Sequence, residues 1–191
     1  MQPRQPLAEL IGRAQRHDAR AFEELVDRFG QPLFGLLFRL TGSRHEAEDL
    51  LQELFLRVVQ TIQTYQHDGR FEAWLFRIAI NLARDRARKI RRRPATLRPG
   101  QLTDWVSLDA RPGPDQPPDQ LSQHAERLDR LQQALAALSP PQREVIMLRH
   151  FSGLSFKDIA EIMGTPIGTA LARAHRALAH LRRLLQDHHS Q

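Results

Sequence analysis

Arginines recur along one side of a helix predicted for residues 71–91. At 100° per residue they form a stripe separate from the apolar one: Arg70, Arg77, Arg84, Arg88 and Arg91. No Glu or Asp stands at i,i+4 to neutralise them, as on an ordinary salt-bridged helix face. The stripe therefore favours contact with nucleic-acid phosphates over the alternative, a merely solvated face. Asn81 lies at its border, and Phe71 and Trp74, on the apolar stripe, are expected in the core.

A helix-turn-helix pattern occupies residues 155–169. Ala160 permits close helix approach, and Gly164 supplies the tight turn four residues later. The second helix is expected to bury Ile167, Ala170, Ala174, Leu178, Leu181 and Leu185. The N-terminal end of this helix would enter a DNA major groove. The side opposite the buried one presents Thr165, Thr169, Ala172, Arg173 and Arg176. The alternative is a helical hairpin within a bundle.

An acidic segment runs from Glu46 to Arg57. Asp49, Gln52, Glu53 and Leu56 recur there at helical spacing and form a mixed polar and apolar face. Carboxylates so closely spaced repel DNA, so this face would meet protein. The alternative is a solvated acidic helix.

Composition excludes several classes of protein. The 191 residues carry a formal net charge of +6, which favours a polyanionic partner, and contain no cysteine, which excludes disulfides and thiol catalysis. No signal peptide is recognisable, and the apolar run 32–38 is too short to cross a bilayer. No phosphate loop, nucleophile elbow or zinc-protease motif occurs. We expect a soluble, cytoplasmic protein that is not an enzyme and uses neither cofactor nor metal.

The pattern predicts an all-α fold of two small helical domains joined by a proline-rich extended linker, because no segment alternates as a strand does. Helices are predicted at 6–16, 18–41, 43–63, 71–91, 121–138, 140–150, 155–163 and 166–186. Thr41-Gly42-Ser43, Ser139-Pro140 and Thr165-Pro166 mark helix ends and starts. The predicted organisation is a first domain at 1–93, an acidic linker at 94–120, a second domain at 121–186 and a tail at 187–191.

Together these segments resemble the extracytoplasmic-function (group IV) sigma factors of bacterial RNA polymerase. The likeness covers Ala21 to Arg93 and Leu128 to Leu185. It is carried by Glu46-Ala-Glu-Asp-Leu-Leu-Gln-Glu-Leu-Phe and Phe71-Glu-Ala-Trp-Leu-Phe-Arg-Ile-Ala-Ile-Asn-Leu-Ala, which are similar to region 2, and by Gly153-Leu-Ser-Phe-Lys-Asp-Ile-Ala-Glu-Ile-Met-Gly, which is similar to region 4.

The resemblance implies three binding surfaces. The clamp helices of the polymerase's largest subunit would bind Glu48, Asp49, Gln52, Glu53, Leu54 and Phe55. The −10 promoter element would be read by Tyr65, His67, Asp68, Gly69, Arg70, Arg77, Asn81, Arg84 and Arg88. The −35 element would be read by Thr165, Thr169, Leu171, Ala172, Arg173 and Arg176.

One departure from the family pattern concerns Leu171, where a basic residue is usual; we expect it toward the packed side of its helix. The resemblance further implies a monomer when free, with core RNA polymerase and promoter DNA as partners, no membrane insertion, and association with the nucleoid through polymerase. It leaves open whether an anti-sigma factor holds the protein inactive. The rival functions are a stand-alone helix-turn-helix regulator that binds duplex DNA without polymerase and, with no catalytic residues to support it, an enzyme acting on nucleic acid.

Overall fold

Helices account for nearly all regular structure in the computed structural model, which describes residues 5–92, 130–131 and 133–186, and no strand occurs among them. The first half contains α1 (Leu7–Gln15), α2 (Ala19–Thr41), α3 (Arg44–Thr61), a 3-10 turn (Ile62–Thr64) and α4 (Phe71–Arg92). The second contains α5, helical at 130–131 and 133–137, followed by α6 (Pro140–Ser152), α7 (Phe156–Met163) and α8 (Ile167–Gln186). The predicted all-α fold is confirmed.

Helix boundaries follow capping chemistry in the sequence. The Asp18 carboxylate accepts from the Arg20 N–H at 3.0 Å at the start of α2, and the Ser155 hydroxyl accepts from the Asp158 N–H at 3.2 Å at the start of α7. Satisfying free N–H groups of a first turn is what favours such residues as N-caps. Gly42 and Gly164 end α2 and α7 with φ of 72° and 62°, a left-handed conformation that glycine adopts without strain.

The first half packs its apolar residues around α2. That helix contacts α1, α3 and α4, and Phe29 on α2 lies 5.7 Å from Phe71 on α4, centroid to centroid. Phe71 is fully buried, as predicted, whereas Trp74 is only partly buried. Pro32 lies inside α2, which is helical on both sides of it. The result fixes α3 and α4 side by side.

The second half forms a helix-turn-helix against α6. Helix α8 contacts both α6 and α7, and these contacts enclose the core of the second half. Val145, Leu148 and Ile159 in this core are fully buried. Helix α7 ends at Gly164, after which the chain turns directly into α8. This is the helix-turn-helix that residues 155–169 predict.

The two halves also pack on each other. Helix α6 contacts α2 and α4, α7 contacts α4, and the buried residues of both halves belong to one contiguous cluster. The sequence predicts two domains but not this contact. The whole of the predicted linker, 94–120, its flanking residues and the tail, 187–191, lie outside the described residues, so those boundaries stay predictions. In the described part of the chain no helix has the length and apolar character needed to cross a membrane.

Candidate nucleic-acid and protein interfaces

Arginines of α4 meet carboxylates that come from the second half of the chain. Arg70 donates through Nε and Nη2 to Asp158 Oδ1, at 3.1 and 2.8 Å, and also pairs with Glu161. Arg77 Nη2 donates to Glu161 Oε1 at 2.5 Å. The expectation of an uncompensated arginine stripe is therefore wrong in this conformation. The carboxylates that pair with Arg70 and Arg77 lie on α7, where helix periodicity within α4 cannot reveal them.

Arg84, farther along α4, pairs with α6. Its Nε and Nη2 donate to the two carboxylate oxygens of Glu144 at 3.1 and 2.6 Å, a fork-to-fork geometry. The hydrogen bond to Glu144 raises the pKa of Arg84, so this guanidinium stays charged. Arg88 pairs locally with Asp85, and Asn81 is exposed.

The loop before α4 is held by its neighbours. Gln15 Nε2 donates to the carbonyls of Ile62 and Tyr65 at 3.0 and 2.7 Å, and the Tyr65 ring packs 4.9 Å from that of Trp74. Burial raises the pKa of the Tyr65 phenol, with a further contribution from the Asp68 carboxylate.

Beyond Tyr65 the loop turns outward. Asp68 Oδ1 accepts from the Arg70 N–H at 3.1 Å, and Gly69 has a φ of 81° that favours glycine. His67, Asp68 and Gly69 are all exposed. Three predicted −10 residues thus project into solvent, while the start of the loop at Tyr65 is held in place.

The acidic face of α3 is presented to solvent. Asp49 and Glu53 keep 46% and 54% of their side-chain surface exposed, and Leu56 beside them is 64% exposed. Their ion pairs are loose: Asp49 lies 3.9 Å from Arg86, and Glu53 lies 3.9 Å from Arg57. Such pairs contribute little to stability, so these carboxylates are available to a partner.

The remaining predicted residues of α3 differ in exposure. Glu48 is half-buried and paired with Arg44 at 2.8 Å, and Gln52 is exposed. Phe55 is partly buried, while Leu54 is fully buried with 0% exposure. Leu54 therefore has no surface to offer a partner in this conformation, and its contribution is to the packing of α3 on the core.

A groove beside this face was not predicted from the sequence. It lies between α2 and α3, has a volume of about 380 Å³, and its walls include Val26, Gly30, Phe34 and Leu51. Val26 is 42% exposed there. The signal that could have revealed it is the i, i+4, i+8 spacing of the three α2 residues, with a glycine in the middle leaving room.

Helix α8 is rotated relative to the prediction. Its packed side consists of Ala170, Ala174, Ala177 and Leu181, whereas Ile167 and Leu178, predicted as buried, are 50% and 56% exposed. Small alanine side chains allow close approach of α6 and α7, so the buried side of the helix is centred on them. Leu171 is 45% exposed, so its expected place toward the packed side is also wrong.

The predicted −35 residues otherwise lie near the start of α8. Ala172 and Arg176 are exposed, and Thr169 and Arg173 are half-buried. Thr165 stands in the turn, where its Oγ1 is buried without a hydrogen-bond partner among the described residues. None of the described His, Asp or Glu side chains gathers in a group of three that could hold a metal ion.

Family models match both halves of the chain. Residues 25–93 match sigma-70 region 2, and residues 128–181 match sigma-70 region 4. The ECF RNA polymerase sigma factor SigW of Bacillus subtilis is 32% identical over 93% of this chain and 95% of its own length. The ECF sigma factor SigE of Mycolicibacterium smegmatis is 38% identical over 90% of this chain, which spans only 64% of that protein.

Two solved structures of similar fold are complexes of related proteins. The sigma factor RpoE of Bartonella quintana, solved with the anti-sigma factor NepR, is 26% identical with a TM-score of 0.68 over 88% of this chain and 98% of that one. CnrH, solved with the cytosolic domain of CnrY, is 25% identical with a TM-score of 0.64 over 93% of this chain and 96% of that one. With regions 2 and 4 in family order on an all-α fold, the chain belongs to the ECF sigma factors of RNA polymerase.

Proposed function

We propose that this chain binds bacterial core RNA polymerase, recognises the −35 and −10 promoter elements and directs transcription initiation with melting of the DNA. The observation that carries the proposal is the combination on one chain of an exposed acidic face on α3 with two arginine-bearing helices, α4 and α8. The chain works in the cytoplasm, on the nucleoid when bound to polymerase, and is a monomer when free. It supplies recognition and no catalytic chemistry of its own.

The polymerase-binding surface is the acidic face of α3. Asp49, Gln52 and Glu53 would pair with cationic groups of the clamp helices, and exposed Leu56 would add apolar contact. Phe55 would add apolar contact at the edge of this face. Glu48, which pairs with Arg44, would extend the row of carboxylates along α3. Leu54 supports the face from beneath because it is fully buried.

Binding to polymerase is required by the free energy of melting. Opening about a dozen base pairs at roughly 1.4 kcal/mol per stacking step costs on the order of 15 kcal/mol. Flipping one base out of the stack costs a few kcal/mol more, and this energy is regained only if a protein pocket holds the base. The arginines of α4 cannot supply the difference alone, so a sigma factor of this size must share the work with the polymerase.

The −10 element would be read by the loop and α4. Exposed His67, Asp68 and Gly69 stand beside the aromatic platform of Tyr65, where an unstacked base can be held. The remaining contacts would come from arginines aimed at the backbone and from one amide, namely Arg70, Arg77, Arg84, Arg88 and Asn81.

The −35 element would be read by the exposed start of α8. The N-terminal end of a recognition helix faces base edges, and arginine there pairs with guanine or phosphate. The contacting residues would be Thr165, Thr169, Leu171, Ala172, Arg173 and Arg176. Since one similar solved structure contains the anti-sigma factor NepR and the other the cytosolic domain of CnrY, we include an anti-sigma protein among the partners.

The test is co-elution of the purified chain with bacterial core RNA polymerase in gel filtration. We expect nanomolar binding by the native chain and its loss in Asp49→Arg, because the substitution reverses charge on an exposed position. Glu9→Arg is the matched control, since Glu9 is an exposed glutamate on α1. Circular dichroism checks that both variants fold. Retention on duplex DNA by the chain alone, with no polymerase binding, would instead establish a stand-alone regulator.

A further inference from the structure

Helix α1 contributes one side chain to the segment that leads into the proposed −10 loop. Gln15, the last residue of α1, donates through Nε2 to the carbonyl oxygens of Ile62 and Tyr65 at 3.0 and 2.7 Å. Ile62 begins the 3-10 turn and Tyr65 directly follows it. Helix α1 precedes the residues that match sigma-70 region 2, which begin at 25. The match to region 2 therefore assigns α1 no role.

Both carbonyls lie where the chain leaves its helical conformation. The Tyr65 N–H donates back to the Ile62 carbonyl at 3.1 Å, and the Tyr65 backbone is then extended, with φ of −71° and ψ of 123°. Carbonyl groups at a helix end have no partner in the following turn, so donors from elsewhere satisfy them. Because both acceptors are oxygens, only the NH2 group of Gln15 can serve them. The contact therefore fixes the place where the loop begins.

Helix α1 has other contacts that hold it in place. Leu10, Ile11 and Ala14 are buried in the core, and Arg13 Nε pairs with Asp18 at 2.7 Å. Burial of apolar side chains is the main favourable contribution to such packing. Loss of the Gln15 amide should thus leave α1 docked and release only the start of the loop.

The chain between Tyr65 and α4 is held mainly at its ends. Residues 66–69 are all exposed. The Tyr65 ring, by contrast, packs 5.2 Å from Phe71 and 4.9 Å from Trp74, centroid to centroid. An exposed loop with a fixed end samples fewer conformations and loses less entropy when it holds a ligand. The order of this loop therefore depends on Tyr65 and, through its carbonyl, on Gln15.

We propose that Gln15 is a positioning residue for base reading at −10, because its amide fixes the Tyr65 carbonyl and so preorders residues 65–69 for an extruded base. This inference rests on the proposed function, since it takes that loop to be the −10 reader. Gln15 is half-buried, and the two carbonyls occupy its amide nitrogen. It acts through Tyr65 and not on DNA, so its effect is on base preference.

Two substitutions separate the hydrogen bonds from the packing of the side chain. Gln15→Met keeps the length and the apolar stem but has no donor, whereas Gln15→Lys restores a donor at the end of a flexible side chain. Gln60→Met is the matched control, because Gln60 is an exposed glutamine on α3 close to the 3-10 turn. Circular dichroism checks that all three variants fold.

Loop order is measured first, in the free full-length protein. The chain has no cysteine, so Gln66→Cys, at an exposed position next to Tyr65, carries a single nitroxide label. Its electron resonance spectrum should show a more mobile label in the Gln15→Met background than in the native one. Gln15→Lys and Gln60→Met should keep the native spectrum. Equal mobility in the native and Gln15→Met backgrounds overturns the proposal.

Base preference is measured next, on the complex of the chain with bacterial core RNA polymerase. The probe is a duplex DNA library randomised over the −35 and −10 regions, and the bound fraction is sequenced. A hydrogen bond changes an equilibrium by about fivefold, so the ratio of preferred to other bases at −10 should fall about fivefold in Gln15→Met. Gln15→Lys should recover it, and preferences at −35 should be the same in every variant.

The two measurements distinguish positioning from a merely structural tie. A structural tie would lower the thermal midpoint of Gln15→Met and leave its −10 preference native, which overturns the proposal, as does an equal loss of preference at −10 and −35. Failure of the proposed function is seen separately, because the native chain would then fail to co-elute with polymerase or would select no −10 sequence. The label on Gln66→Cys requires neither DNA nor polymerase.

Discussion

Arg84 on α4 and Glu144 on α6 form a two-point ion pair between the halves of the chain, with Nε–Oε1 at 3.1 Å and Nη2–Oε2 at 2.6 Å. The partners are unequally buried, since the arginine side chain keeps 32% of its surface exposed and the glutamate only 11%. Removing the arginine should therefore lower the free energy of unfolding by a different amount from removing the glutamate. An unpaired guanidinium here still reaches water, but an unpaired carboxylate loses most of its solvation.

This asymmetry predicts the outcome of a double-mutant cycle. Arg84→Ala should lower the free energy of unfolding more than Glu144→Ala does, and the coupling between the two should be about 1–2 kcal/mol. Urea unfolding followed by far-UV circular dichroism measures both quantities. Effects that simply add, within about 0.3 kcal/mol, would show that the pair contributes nothing beyond its separate side chains.

Helix boundaries could be predicted from the sequence where neighbouring residues determine them. Helix 155–163 is observed as Phe156–Met163 because Ser155 caps one end and Gly164 closes the other. The partners of Arg70 and Arg84 were out of reach, since they lie 88 and 60 positions away along the chain. No periodicity within one helix carries information about a contact at that separation.

The exposed face of α8 was mispredicted for a related reason. The sequence is compatible with an apolar stripe wide enough to include Ile167 and Leu178. Which side of α8 is buried, however, depends on the residues that let the neighbouring helices approach most closely. Ala170 and Ala174 do so, and the larger side chains are turned out to 50% and 56% exposure. Close approach depends on tertiary packing and is not visible in hydrophobicity alone.

The contact between the halves should respond to acid but not to neutral pH. Hydrogen bonding by Arg70, and then Arg77, lowers the pKa of Glu161; bonding by Ser155, and then Arg70, lowers that of Asp158. A carboxylate whose pKa is lowered by an arginine of α4 stabilises the contact between the halves above its ordinary pKa, about 4. This contribution is lost as pH falls through the lowered value. Spin labels on cysteines introduced at Gln60 on α3 and Ala179 on α8, both exposed positions, report the distance between the halves. This distance should stay constant from pH 8 to 5 and lengthen below about 4. Opening between pH 7 and 5 would contradict the assignment.

Two glycines at the helix-turn-helix should respond oppositely to alanine. Gly164 has a φ of 62°, so Gly164→Ala should lower the stability of the folded chain by about 1 kcal/mol. Gly168 lies inside α8 with open space at its Cβ position, so Gly168→Ala should raise stability by about 0.5–1 kcal/mol. Thermal and urea unfolding of the free protein measure both. Similar shifts of one sign would mean that the turn at Gly164 is not fixed in solution.

Leu171 gives the sharpest test of the −35 surface. It stands 45% exposed near the start of α8, at a position where a cation would reach a DNA phosphate if the proposed docking is correct. Leu171→Arg should tighten binding of −35 duplex DNA and steepen the plot of log affinity against log salt by about 0.9, the value for one added phosphate contact. Leu178→Arg is the matched control, because Leu178 is a similarly exposed leucine on the same helix, farther from the turn. Its slope should match that of the native chain. Equal slopes for all three proteins would place the DNA on another face of α8, whereas a steeper slope in Leu171→Arg alone orients the recognition helix as proposed.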